Sequence, residues 1–142
     1  MDILFYKPKT LVGRFIHLFT GAKYSHVGIR LDKYHVLDIN SGRDSQIRHI
    51  SANESDFDAI TINISLDKKT ALYKSINKYL GYEYDYLKAV GLYGDIDKYT
   101  CYELINVILY DIGYLDEIYD IFLPEELIKV VKDGVKRNHK SK

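Results

Sequence analysis

Tryptophan is missing from this chain, and cysteine and methionine occur once each. A single cysteine excludes an intrachain disulfide and a zinc site built from several thiolates, so cysteine usage gives no reason to expect an oxidising compartment. Neither sign of charge is in excess: 20 Lys and Arg stand against 20 Asp and Glu. That balance argues against a broad basic face for nucleic acid and against a general attraction to anionic membranes. No stretch approaches the ~20 apolar residues of a membrane span. The opening Met1-Asp2-Ile3-Leu4-Phe5-Tyr6-Lys7-Pro8 has neither the basic start nor the long apolar run of a secretory signal. Internal repeats, low-complexity tracts and linkers are absent as well. The expectation is a cytoplasmic protein without stable membrane insertion, nucleic-acid partner, metal or cofactor. It is expected to fold as one domain over residues 1–134, with a basic, mobile tail at 135–142. What the chain does have in quantity is tyrosine, 14 residues, suited to polar clefts and to half-buried surfaces alike. The isoleucine, lysine and tyrosine bias would suit an AT-rich genome or a bacterial virus.

Periodicity divides the chain into a strand-rich first half and a helical second half. Ile3 to Lys7 reads as a first strand ended by Pro8. Thr10 caps a short expected helix, Leu11 to Phe19, with Phe15, Leu18 and Phe19 on its buried face and Gly21 after it. Tyr24 to Leu31 and Tyr34 to Asn40 alternate strictly and predict a hairpin. Gln46 to Ile50 and Ala59 to Ser65 follow as strands, the latter with Ile60, Ile62 and Ile64 on one face. A helix is expected from Leu66 or Asp67 to Leu80, with Leu72, Ile76 and Leu80 in register and Gly81 beyond. Another short helix is expected within Tyr82 to Gly94. Leu115 to Phe122 reads as a turn or short helix, and Pro124-Glu125-Glu126-Leu127 opens a last helix with proline in its favoured early position. The fold class is therefore α+β, an antiparallel sheet from the N-terminal half packed against helices.

The lone cysteine sits in Thr100-Cys101-Tyr102-Glu103-Leu104-Ile105. Thr100 followed three residues later by Glu103 is a capping box, which makes Cys101 the first residue of a helix running to about Ile112. A thiol there meets free amides and the positive end of the helix dipole, a setting that favours the thiolate. The same residue has a plainer reading. Cys101, Leu104, Ile105 and Ile108 share a helical face, and an unpaired cysteine is often a small core residue.

A nucleophilic thiol needs a base, and the hairpin supplies one. A two-residue loop at Asp32-Lys33 would oppose Val27 to Asp38 and His26 to Ile39, mixing apolar and polar faces. A three-residue loop gathers Val27, Ile29, Leu37 and Ile39 on one face. It sets His26 with Asp38 on the other, opposing His26 to Asp38 or, one step along, to Asn40. Histidine can take the thiol proton and return it to a leaving group, and a third polar group fixes the ring. The amide of Cys101 is a natural oxyanion donor. Gly28, on the face of His26, would leave room for a substrate or for the cysteine helix. His17, His35 and His49 are competitors for the base, although parity puts His35 on the apolar face.

Tyr24-Ser25-His26-Val27-Gly28-Ile29, an acidic residue on the next strand, and the later Cys101-Tyr102-Glu103-Leu104-Ile105 together resemble the circularly permuted NlpC-like cysteine hydrolases. Pro124-Glu125-Glu126-Leu127 is similar to a feature that follows the cysteine helix in that family. The resemblance runs from about Ile3 to Leu127. It implies a permuted papain-like fold with His26, Asp38 and Cys101 as catalytic residues, and Tyr24, Gly28, Asn40 and Tyr102 around them. It also implies an amidase or peptidase acting through a thioester on peptidoglycan peptides, other peptides or isopeptides, or acyl amides. Tyr102 departs from the serine common at its position, and Asp38 from the glutamate often found there. Those departures support the alternative of a non-catalytic binding module that keeps the fold; a lipid or acyl-group hydrolase or transferase is the other alternative. A metal site on His26, Asp38 and Cys101 has no ligand pair at the spacing typical of zinc.

Overall fold

The computed structural model describes residues 1–9, 14, 17–18, 20–40, 42–50, 54, 56–89, 92–95 and 97–140. Five strands, β1 (Asp2–Tyr6), β2 (His26–Arg30), β3 (His35–Asn40), β4 (Arg43–His49) and β5 (Phe57–Thr61), form one antiparallel sheet in the order β4-β3-β2-β1-β5. Four helices follow among the described residues: α1 (Leu66–Tyr79), α2 (Tyr86–Ala89), α3 (Cys101–Asp111) and α4 (Pro124–Lys140). The class is α+β, as the patterning predicts.

The sheet has two unlike faces because each strand alternates. Ile3 and Phe5 of β1, Val27 and Ile29 of β2, and Leu37 and Ile39 of β3 join one apolar core with Leu72 and Ile76 of α1, Leu104, Ile105, Ile108 and Leu109 of α3, and Leu127 and Val131 of α4. α3 packs on β2 and β3, and α1 and α4 pack on α3. Fully burying one such side chain is worth about 1.5–3 kcal/mol, so the hydrophobic term settles which face turns inward. The other face carries His26, Gly28, Asp38, Tyr6 and Arg48, with Leu4 and Val36 buried among them.

The hairpin turns as the parity requires. Gly28 pairs with Asp38, Ile29 with Leu37 and Arg30 with Val36, and the Leu31 amide donates to the His35 carbonyl. The loop is therefore Asp32-Lys33-Tyr34, three residues, and the Asp32 carboxylate accepts the amides of Tyr34 and His35 to hold it. Continued along the strands, this register sets His26 across from Asn40 and diagonal to Asp38. On the far side of β3 a bulge breaks the count: Asp38 pairs with Gln46 but Asn40 with Arg43, so β4 carries one extra residue there.

Several boundaries differ from the patterning. Leu18 is helical but 77% exposed, against its expected place on a buried face; the apolar face of the sheet is already covered by α3 and the side chains behind it. Phe15 and Phe19, expected beside it, lie outside the described residues, as does the Thr10 cap. β5 is Phe57–Thr61 and stops short of Ile62, whose amide donates to the carbonyl of Met1 and whose carbonyl accepts from the chain's amino group. Ile62 is buried, and Ile60 and Ile64 pack against the core beside it. Leu80 is exposed because it is the C-cap of α1 and has left the helical conformation. The last helix runs through Lys140, past residue 134 where the sequence places a tail. Gly134 lies against the Tyr114 ring, where a Cβ would meet Cε1 at 2.8 Å, and the following Val135 packs on the core.

Candidate active site

α3 begins as its sequence dictates. Thr100 is its N-cap, with extended backbone; its hydroxyl accepts the Glu103 amide at 3.4 Å and the Glu103 carboxylate accepts the Thr100 amide at 3.0 Å. Lys88 holds the same carboxylate in an ion pair. The box uses the amides of the N-cap and of Glu103, so those of Cys101 and Tyr102 lie outside it, at the positive end of the helix. Cys101 is the first residue of α3, 2% exposed.

His26 is the first residue of β2, and its ring lies between two partners. Nε2 donates to Asp38 Oδ2 at 3.2 Å, and the Cys101 thiol is near enough to the ring to favour its proton. With Nε2 turned to the carboxylate, Nδ1 is the nitrogen left for sulfur. Burial alone would push the imidazole pKa down. The hydrogen bonds to Asp38 and Cys101, with their charges, outweigh it and raise the group from 6.5 to about 9. Burial would likewise raise Asp38, but the hydrogen bond and charge of His26, joined by those of Arg48, hold its carboxyl below the usual range. The side chain of His26 keeps 11% of its surface open and that of Asp38 2%, so this is a largely desolvated arrangement in which electrostatic contacts act strongly.

The remaining candidates fall into distinct places. Asn40 is exposed at the end of β3, while it is Asp38 that bonds the histidine. Gly28 lies on the face of His26, but a Cβ there would meet Val36 Cγ2 at 2.9 Å and the Leu37 carbonyl at 3.1 Å. The close approach it permits is that of β3 and not of the cysteine helix. Tyr24 is buried, its ring 5.7 Å from that of Phe5, and its hydroxyl donates to Asp58; it ties the entry of β2 to β5. Tyr102 is buried next to the thiol, and burial, with the Cys101 charge among lesser causes, holds its phenol pKa high. Tyr84 is near the thiol too: burial first, then the charge of Cys101, raises its phenol. Of the other histidines, His17 Nδ1 bonds the Ala22 carbonyl, His35 is exposed and pairs with Asp32, and His49 stacks on Tyr34. Its position at the strand end explains why His35 is exposed despite its parity.

Two features were not singled out from the sequence. Arg48 of β4 donates from Nε to Asp38 Oδ2 at 2.7 Å and grips Glu54 with both terminal nitrogens, at 2.8 and 2.7 Å. Tyr6, opposite His26 in the β1–β2 register, lies with its ring centroid 5.2 Å from the imidazole and its hydroxyl 3.4 Å from Arg48 Nη2. The second feature is Glu125, at the start of α4. Its Oε1 accepts the amides of Lys23 and Tyr24, so the helix after the cysteine helix holds the two residues that lead into Ser25 and His26. The resemblance of the Pro124-Glu125-Glu126-Leu127 stretch drew attention to this segment but not to this contact.

Among the described residues no group of three His, Cys, Asp or Glu side chains is placed to hold a metal ion, and no helix is long and apolar enough to cross a membrane. A scan against protein-family models finds none that matches this chain, and a search of curated proteins finds no match.

Proposed function

We propose that this chain is a cysteine hydrolase of the permuted NlpC-like, papain-fold type, cleaving an amide bond with Cys101 as nucleophile, His26 as proton carrier and Asp38 as its orienting partner. The observation that supports this reading best is the single imidazole held between the chain's only thiol and a buried carboxylate. In the reaction the thiol proton passes to His26 as sulfur bonds to the carbonyl carbon of the substrate. The oxyanion is met by the Cys101 amide. Collapse breaks the carbon–nitrogen bond, and His26 gives its proton to the departing amine, leaving a thioester. Water then loses a proton to His26 as its oxygen attacks; the carbon–sulfur bond breaks and the proton returns to sulfur. Peptidoglycan peptides, other peptides or isopeptides and acyl amides all present the bond required.

The test is alkylation by iodoacetamide from pH 5 to 9, followed by mass spectrometry of products from each substrate class. Cys101 is expected to react rapidly at low pH, and His26→Ala to slow it. Cys101→Ala is expected to lose roughly 10^4-fold or more in turnover. The burial of Cys101 favours one other reading, a papain-like module that binds without turnover. Alkylation as slow as that of an ordinary thiol, with no product from any substrate, would overturn the hydrolase and favour that module or a purely structural core cysteine.

A further inference from the structure

We infer that Arg48, braced by Glu54, is a positioning residue for the proposed reaction: it locks the Asp38 carboxylate onto His26 and so governs the proton held by the imidazole. This rests on the cysteine-hydrolase reading and adds to it a pair of residues outside the Cys-His-Asp set.

Asp38 Oδ2 receives two donors, His26 Nε2 and Arg48 Nε. The carboxylate therefore cannot turn away from the histidine without also leaving the guanidinium. Arg48 itself is fixed from the other side by the two-pronged Glu54 contact and by Tyr6. A planar fork that fills both prongs on one carboxylate and keeps Nε for another is a geometry lysine cannot reproduce. The cross-strand placement supports the same role. Arg48 pairs with Val36, one diagonal step from Asp38 on its face.

Charge explains why both members are needed. Asp38 alone would be a nearly sealed anion with the imidazole as its partner. Arg48 stabilises that anion but also sets a second cation close to the imidazolium. Glu54 compensates that cation, so the net field at His26 still favours the proton. The groups facing the imidazole are Asp38 from β3, Cys101 from α3 and Tyr6 from β1; Arg48 from β4 and Glu54 complete the set behind them.

The experiment is the pH profile of Cys101 alkylation by iodoacetamide in the 142-residue chain, for wild type, Arg48→Met, Arg48→Lys and Glu54→Gln, with circular dichroism to verify folding. Arg48→Met removes the second donor on Asp38 Oδ2, and the carboxylate is then free to rotate away from His26. The expected result is a drop of about tenfold or more in alkylation at pH 6, one pKa unit being a factor of ten. Arg48→Lys restores part of that rate. Glu54→Gln keeps the hold on Asp38 but leaves the guanidinium unbalanced, and is expected to move the histidine limb to lower pH. Should Arg48→Met fail to fold, the Lys and Gln variants decide the matter. Folded variants whose profiles overlay that of wild type would overturn this inference and leave the hydrolase reading intact. A wild-type profile like that of a free thiol would instead remove the reading on which it rests.

Discussion

At the scale of the residue, Asp38 carries the tightest constraint in the site. Replacing it with asparagine removes the charge, and Arg48 then dictates how the new amide turns. The guanidinium only donates, so it takes the amide oxygen, and because one oxygen of Asp38 receives both Arg48 Nε and His26 Nε2, that oxygen still faces the ring. The ring keeps its orientation, but the imidazolium loses the neighbouring negative charge that favours its proton. Asp38→Asn is therefore expected to fold and to lose roughly 10^2- to 10^4-fold in kcat/KM, measured on whichever amide the product analysis identifies. Wild-type turnover in that variant would reduce Asp38 to a structural partner.

At the scale of the element, two contacts hold the start of α3 and the start of β2 in place. The capping box fixes the first turn of the cysteine helix, and Glu125 accepts the two amides that lead toward His26. Thr100→Ala is expected to cost about 1 kcal/mol of stability, and Glu125→Ala roughly 1.5–3 kcal/mol because a charged acceptor is lost. Chemical denaturation read as the shift in midpoint at constant slope tests both. These two cases also mark what was legible beforehand. The capping box is local, four consecutive residues whose hydrogen bonds depend on nothing else, and it could be read directly from Thr100 and Glu103. The hairpin was legible because face parity permits only an odd loop. Arg48 was not, because the bulge between Asp38 and Asn40 shifts the β3–β4 count by one residue and hides the face on which β4 side chains emerge. The Glu125 contact joins positions about a hundred residues apart, and no periodicity reports such a meeting. Burial of Leu18 failed for a related reason: an apolar residue in a helical pattern shows which way it prefers to face, not whether a surface remains for it.

At the scale of the whole molecule, the raised imidazole makes stability depend on pH in a definite direction. A group that binds its proton more tightly when folded stabilises the fold fully below its unfolded pKa and loses that contribution as pH climbs through its folded one. For His26 the window runs from 6.5 to about 9. Asp38 works in the opposite sense: its contribution is present above 3.8 and is lost as pH falls through its lowered value. Calorimetric Tm between pH 5 and 10 is expected to decline from pH 6.5 to 9.5 in wild type, with a shallower decline over that interval in His26→Gln. Parallel curves would show that the folded state holds no extra affinity for that proton.

The imidazole and carboxylate come from a ribbon finished by residue 40, and the sulfur arrives only with a helix that starts at Cys101. On the proposed reading, neither half owns the chemistry. Rapid labelling at the sulfur at low pH is thus a census of docked molecules: a chain whose helix has come away from the ribbon reacts only as an ordinary thiol, however much secondary structure it retains.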